Sequence, residues 1–278
     1  MSFKTIVVHC DGGMTSSRRL EVATDLAARF GACLVGVHAK PPYEPPLFEK
    51  STLALTRLFE AYEEGAEAEK AAARAAYDKV LRGKSLKTEW HSLDGQVEDV
   101  MMVAARYADL VVVGQAEPDS ISILPARSPE AVALSGGRPV LAVPHKGIEK
   151  APGGTVLLCW NASRESARAA TDALPFLKSA QKVIVLVVEP KVTPEGHGEE
   201  PGADVATWLA RHGVKVTVQC DVAADADVGD VILSRAADHD VDLIVMGLYG
   251  HSRLREMVLG GVSRTMLSTM PVPVLMTH

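Results

Sequence analysis

Apolar residues along this chain fall into two spacings that alternate from end to end. Short runs rich in β-branched residues, such as Ile6-Val7-Val8, Leu110-Val111-Val112-Val113 and Leu243-Ile244-Val245-Met246, read as strands buried on both faces, the mark of a parallel sheet. Segments with an apolar helical face lie between them. In the second half the pattern predicts strands over 155–160, 182–189, 214–219, 243–246 and 272–276, and helices over 163–179, 204–212, 227–239 and 261–270. Strands alternating with helices require right-handed crossovers, so the expected sheet is parallel and covered on both faces.

The whole pattern occurs twice. Ile6-Val7-Val8-His9-Cys10-Asp11-Gly12-Gly13 aligns with Val156-Leu157-Leu158-Cys159-Trp160-Asn161-Ala162-Ser163 at an offset of 150, which also puts Arg18 on Arg168. Asp109 to Gly114 matches Asp242 to Gly247, and Pro139 to Pro144 matches Pro273 to His278. At 278 residues the chain is long for one core, and the Gly-, Pro- and Lys-containing stretch 145–154 lacks an apolar face, as an exposed linker does. Two domains follow, 1–146 and 154–278. The first carries an extra helical segment, 53–82, whose alanine- and glutamate-rich part suits a lid, a solvated surface helix or a partner-binding helix. Its counterpart, 190–202, is polar and glycine-rich, a candidate mobile loop.

Composition narrows the class. Hydrophobic residues at 47% and charged residues at 23% fit a globular α/β protein, and the apolar runs are too short to cross a bilayer. The first residues enter a strand without the apolar core of a signal peptide, so a cytoplasmic location is expected and no membrane partner. A net charge of −6 argues against a nucleic-acid surface. Cys10, Cys33, Cys159 and Cys220 lack C-x-x-C spacing and sit in or beside apolar segments, so reduced, mostly buried thiols are expected. His9 and Cys10 are adjacent in a strand, point to opposite faces and cannot chelate one ion.

Candidate chemistry is concentrated in Met246-Gly247-Leu248-Tyr249-Gly250, separated by nine residues from Gly260-Gly261-Val262-Ser263. The first cluster ends a strand and the second opens a helix. Glycine lets backbone approach phosphate oxygens, and a helix N-terminus presents unpaired N–H groups and a positive dipole end. The same glycines also suit a turn and close helix packing. Between them, His251, Ser252, Arg253 and Arg255 are either cationic contacts to β- and γ-phosphates or solvated loop charges.

Two units ending in Gly-x-x-Gly, nine residues, Gly-Gly-Val-Ser and Pro-Val-Pro-Val-Leu resemble a tandem universal stress protein. The match is strongest over 154–278 and confined to the strands of 1–146. The resemblance implies two doubly wound, five-stranded parallel-sheet α/β domains (adenine nucleotide alpha hydrolase-like, Rossmann-like), in which strands one and four are neighbours. It implies pairing of the two halves through their last strands as a pseudo-dimer, and further association as a homodimer. It implies an adenine nucleotide, ATP with or without Mg2+, at the carboxyl ends of those neighbouring strands. Asn161 stands where many relatives have aspartate. Val187 falls against adenine, and Gly247, Gly250, Gly260, Gly261, Val262 and Ser263 surround ribose and phosphates, with His251 and Arg253 in reach. Gly261 departs from the family, which has Ser or Thr there. The first half keeps Asp11 and Gly114 but has Glu117 and Arg127-Ser128-Pro129 where the cradle would be, as expected of a structural or regulatory copy that holds no nucleotide.

Three functions compete. The leading one is an ATP-binding stress-response protein whose second domain holds the nucleotide and changes conformation or assembly with occupancy. The alternative is an interaction scaffold of the same family that binds none, toward which Asn161 and Gly261 weigh. A third is an ATP-hydrolysing enzyme such as an ATP pyrophosphatase, whose Ser-Gly-Gly-x-Asp-Ser signature is only loosely echoed by Asp11-Gly12-Gly13-Met14-Thr15-Ser16. No catalytic residue or metal-ligand set is assigned near the glycines. His251 is the one titratable candidate there.

Overall fold

The structure, a computed structural model, describes residues 2–13, 15–45, 52–115, 129–190, 198–224, 226–248 and 261–278. The first half runs β1 (Thr5–His9), α1 (Ser16–Phe30), β2 (Cys33–Lys40), α2 (Thr52–Leu81), β3 (Thr88–Asp94), α3 (Val97–Ala105), β4 (Leu110–Gly114), α4 (Pro129–Gly136) and β5 (Val140–Val143). The second runs β6 (Thr155–Cys159), α5 (Arg164–Asp172), α6 (Leu174–Ser179), β7 (Lys182–Val188), α7 (Ala203–Arg211), β8 (Thr217–Asp221), α8 (Val228–Asp238), β9 (Leu243–Gly247), α9 (Gly261–Thr269) and β10 (Val274–Thr277).

Each half forms five parallel strands, and the two sets join into one ten-stranded sheet of order β3-β2-β1-β4-β5-β10-β9-β6-β7-β8. The junction is antiparallel, with Leu141 opposite Leu275 and Ala142 opposite Val274. The last strands therefore pair as expected, closing two apolar edges that would otherwise invite other chains. One core lies on each face and crosses both halves: α1, α2, α5, α6 and α7 cover the first, α3, α4, α8 and α9 the second. Phe3, Phe30 and Phe176 form an edge-to-face trio at 5.1 to 5.5 Å that ties α1 to α6 across the join. Beside it Arg29 donates to Pro152 O at 2.8 Å and Ser179 Oγ at 2.6 Å.

The repeat extends to a carboxylate clamp at the start of the central strands. Asp109 accepts from the N–H groups of Lys4 and Thr5 at 2.7 and 3.0 Å. Asp242 accepts from Gly153 at 2.6 Å, Gly154 at 2.9 Å and Thr155 at 2.9 Å. Each clamp ties neighbouring strands one and four together at the end of the sheet opposite their carboxyl ends.

Three expectations are corrected. The helix predicted over 163–179 is two, α5 and α6, broken at Ala173 where Pro175 has no N–H to continue the ladder. The strand predicted over 214–219 begins three residues later, because Gly213 at φ 80° and Val214 close α7 instead: their N–H groups bond Ala210 O and Leu209 O at 2.9 and 3.0 Å. Cys10 is buried and Cys33 and Cys159 are half-buried, but Cys220 is exposed on the edge strand β8, which is paired on one side only. Helix α2 divides its roles. Ala73 and Tyr77 are buried against β2 and β3, while Leu53, Leu58 and Phe59 at its other end are exposed. Among the described residues no helix is long and apolar enough to cross a membrane.

Candidate functional site

Strands β6 and β9 are parallel neighbours, with Val156 opposite Leu243 and Leu158 opposite Val245. Past their carboxyl ends the chain diverges, from β6 into α5 on one face and from β9 toward α9 on the other. That divergence opens the crevice in which an open α/β sheet takes ligands. The loop after β6 is shaped by its own side chains. Asn161 Oδ1 accepts from Ser163 N at 3.2 Å across Ala162, which sits at φ 58°, and Ser163 Oγ caps α5 by accepting from Ser166 N at 3.2 Å. Asn161 is exposed at the mouth.

Gly247 is explained by packing. A Cβ there would lie 2.6 Å from the Glu165 carbonyl carbon and 2.7 Å from Ser166 N, so glycine lets the first turn of α5 rest on the end of β9. Gly261 has a different setting. Among the described residues, a Cβ there would meet only Asp227 Oδ1, at 3.8 Å. Gly261 is exposed and Val262 half-buried. Ser263 lies with Met266 and Leu267 on the buried side of α9, which leaves backbone N–H groups as the donors of its first turn. Asp227 Oδ2 accepts from Thr265 Oγ1 at 2.9 Å, fixing α8 against α9.

Val187 is fully buried, and its side chain belongs to the core between β7 and α7. Only its backbone stands at the strand end. Gly250, His251, Arg253 and Gly260 lie outside the described residues, as do Glu117 and Arg127. Asn161 thus follows β6 and Gly247 ends its neighbour β9, while the side chain of Val187 lies in the core.

One residue at this end of the sheet escaped the sequence reading. Glu165 is 8% exposed, beside Gly247. Burial works to raise its pKa, but hydrogen bonds from its own N–H, Arg164 and Ser163 outweigh burial and hold the carboxyl below its ordinary value. Arg164 Nε donates to it at 2.6 Å. The signal available was an acid in the first helical turn after a Ser cap, a pattern common enough to carry no function by itself. The hydroxyls of Ser163 and Ser166 are spent on the α5 cap. Among the described residues no three His, Cys, Asp or Glu side chains converge as a metal-ligand set. A cavity of about 520 Å³ lies on the outer side of α5, lined by Arg164, Arg168, Thr171 and His278 rather than by the crevice residues.

In the first half the corresponding crevice, between β1 and β4, is filled from within. Arg19 is 3% exposed; its Nε donates to His9 O at 2.7 Å and its Nη2 to Asp11 Oδ2 at 3.0 Å. Its Nη1 lies 2.5 Å from where a Cβ on Gly114 would be, so this glycine makes room for a guanidinium. Helix α2 closes the rim: Glu69 Oε1 accepts from Gly12 N at 2.8 Å, and Oε2 pairs with His38 Nε2 at 2.5 Å. Burial tends to raise the Glu69 pKa, yet the bonds from His38 and Gly12 leave it lowered. The offset of 150 places Ala169 where the first half has Arg19.

The universal stress protein family model matches this chain twice, over residues 2–144 and 154–278. A universal stress protein from Archaeoglobus fulgidus DSM 4304 has a similar structure, with a TM-score of 0.68 and 17% identity over 98% of this chain and 97% of that one. A functionally unknown protein from Pseudomonas aeruginosa PAO1 is similar at a TM-score of 0.58 and 14% identity, over 99% and 92% of the two chains. No curated protein matches the chain. Two family matches that follow one another along nearly its whole length, on two copies of one doubly wound unit, place this chain in the universal stress protein family.

Proposed function

We propose that this chain is an ATP-binding stress-response protein in which residues 154–278 hold the nucleotide and residues 1–146 form a domain that holds none. The observation that carries this reading is the contrast between two equivalent crevices. At β6 and β9 the loop past β6 has Asn161, and α9 starts with an exposed glycine on which a Cβ would meet, among the described residues, only Asp227. At β1 and β4 the space belongs to Arg19 and the donor of Gly12 to Glu69. Displacing Arg19 would take from the buried Asp11 its guanidinium partner at 3.0 Å, a cost a nucleotide binding there would have to offset.

Within this reading the phosphates lie against the first turn of α9, and the ribose near Asn161. A triphosphate near the ionised Glu165 needs a cation between them. Mg2+ suits that place, since it is commonly held by one or two carboxylates, phosphates and waters. With Ser163 and Ser166 committed to the helix cap, the role we assign is binding that alters conformation or assembly, with no dedicated turnover. Calorimetric titration of the full chain with ATP and Mg2+ is expected to saturate at about one nucleotide per chain. No heat would leave the scaffold reading standing, and two nucleotides would mean the first crevice opens. Light scattering with and without ATP reports whether chains associate as homodimers and whether occupancy matters.

A further inference from the structure

Gln115 follows β4 in the first half, yet its side chain is spent on the second. It is 7% exposed, and its Nε2 donates to Leu267 O at 2.8 Å and Ser268 O at 3.1 Å. Those carbonyls belong to the last turn of α9, where a helix has acceptors with no partner of its own. Its Oε1 accepts from His145 N at 3.1 Å and from His145 Nδ1 at 2.7 Å, an arrangement that puts the proton on Nδ1. His145 O in turn accepts from Arg18 Nη1 at 2.9 Å. A buried carboxamide committed at both ends has one orientation, so the end of α9 is pinned to β4, to the linker and through it to α1.

The arrangement is one-sided. Leu248 occupies the equivalent place in the second half: each residue follows the glycine that ends its strand, and each donates its N–H to the neighbouring last strand, Gln115 to Val143 O and Leu248 to Thr277 O, both at 2.8 Å. Leu248 is fully buried and has no polar side-chain atom, so it cannot serve α4 in return. The first half, whose crevice Arg19 fills, supports a helix of the second. Nine residues of α9 make a rod of about 13 Å, short enough that a tilt at its last turn reappears at its first.

We infer that Gln115 is a positioning residue for the nucleotide site of the other half: it sets the axis of α9, and with it the direction in which the N–H groups of Gly261, Val262 and Ser263 point. This inference rests on the ATP reading above. Gln115→Met keeps length and volume and removes every side-chain hydrogen bond, and in the full chain it lowers ATP affinity about tenfold, the equivalent of about 1.4 kcal/mol. Amide exchange becomes faster in α9 and not in α4. Gln115→Glu loses the donors and sets a negative charge against the negative end of α9, and it weakens ATP at least as much. His145→Ala, which leaves the backbone N–H in place, shifts both measurements the same way by less, and it stands in if the Gln115 variants do not fold. A folded Gln115→Met chain with unchanged α9 exchange, or with faster exchange everywhere and unchanged ATP affinity, overturns the inference. If the unmodified chain binds no ATP, the nucleotide reading fails by itself, and the exchange of α9 still decides whether Gln115 holds it.

Discussion

Gly261→Asp separates the site from the fold. Gly261 is exposed, and among the described residues a Cβ on it meets only Asp227 Oδ1 at 3.8 Å, so the new side chain projects from the first turn of α9 without displacing any of them. For stability two small effects oppose each other. A carboxylate at a helix N-terminus gains about 0.3–1 kcal/mol from the dipole, and its neighbour Asp227 takes back a similar amount by repulsion. Unfolding free energy should therefore stay within about 1 kcal/mol of the unmodified chain. For a bound phosphate about 4 Å away, Coulomb repulsion is about 4 kcal/mol at an effective dielectric of 20 and about 1 kcal/mol in water. An exposed position lies between those limits, so ATP affinity falls at least about fivefold and by as much as a thousandfold. Adenosine, which carries no phosphate, should bind as before. Gly261→Ala is the control: it improves helix propensity by about 0.5–1 kcal/mol and adds no charge. Calorimetry at low salt, with urea unfolding alongside, reads all of these. A folded Gly261→Asp chain with unchanged ATP affinity would falsify the assignment of the phosphates to α9.

Two further substitutions test packing and the filled crevice. Gly247→Ala forces a Cβ to within 2.6 Å of the Glu165 backbone, and because backbone cannot swing aside the cost is about 2–4 kcal/mol in urea unfolding; a neutral result would mean α5 is free to move off β9. The lowered pKa of Glu69 means its carboxylate contributes stability above the ordinary value of 4.5, and that contribution is lost as pH falls through the lower folded-state value. Glu69→Gln should therefore be less stable near neutrality and show a shallower loss of stability on acidification. An acid limb of unchanged slope in thermal melts would count against the role of Glu69 at Gly12.

Much of the architecture was legible along the chain because it depends on local period. Runs such as Leu110 to Val113 are apolar at every position only if both faces are covered, and the offset of 150 between Asp11 and Asn161 counts repeats without coordinates. Boundaries failed where a closing interaction competed with strand propensity, as at Val214, whose N–H completes the end of α7 instead of joining β8. The glycines of the motif were legible as glycines, but their duties were not: Gly247 accommodates α5 and Gly114 accommodates Arg19.

By itself, the sequence determined two copies of a parallel sheet covered on both faces, because apolar periodicity and backbone handedness leave few alternatives, and its resemblance to a family supplied the doubly wound strand order. Only the tertiary structure decided what fills the crevice of the first half. Glu69 reaches Gly12 across 57 positions, and Gln115 reaches Leu267 across 152. Contacts at such separations carry no periodic trace in the chain: they exist because packing α2 on β2, and β5 against β10, brings unrelated stretches within hydrogen-bond range, where burial makes each polar group take the partner it finds.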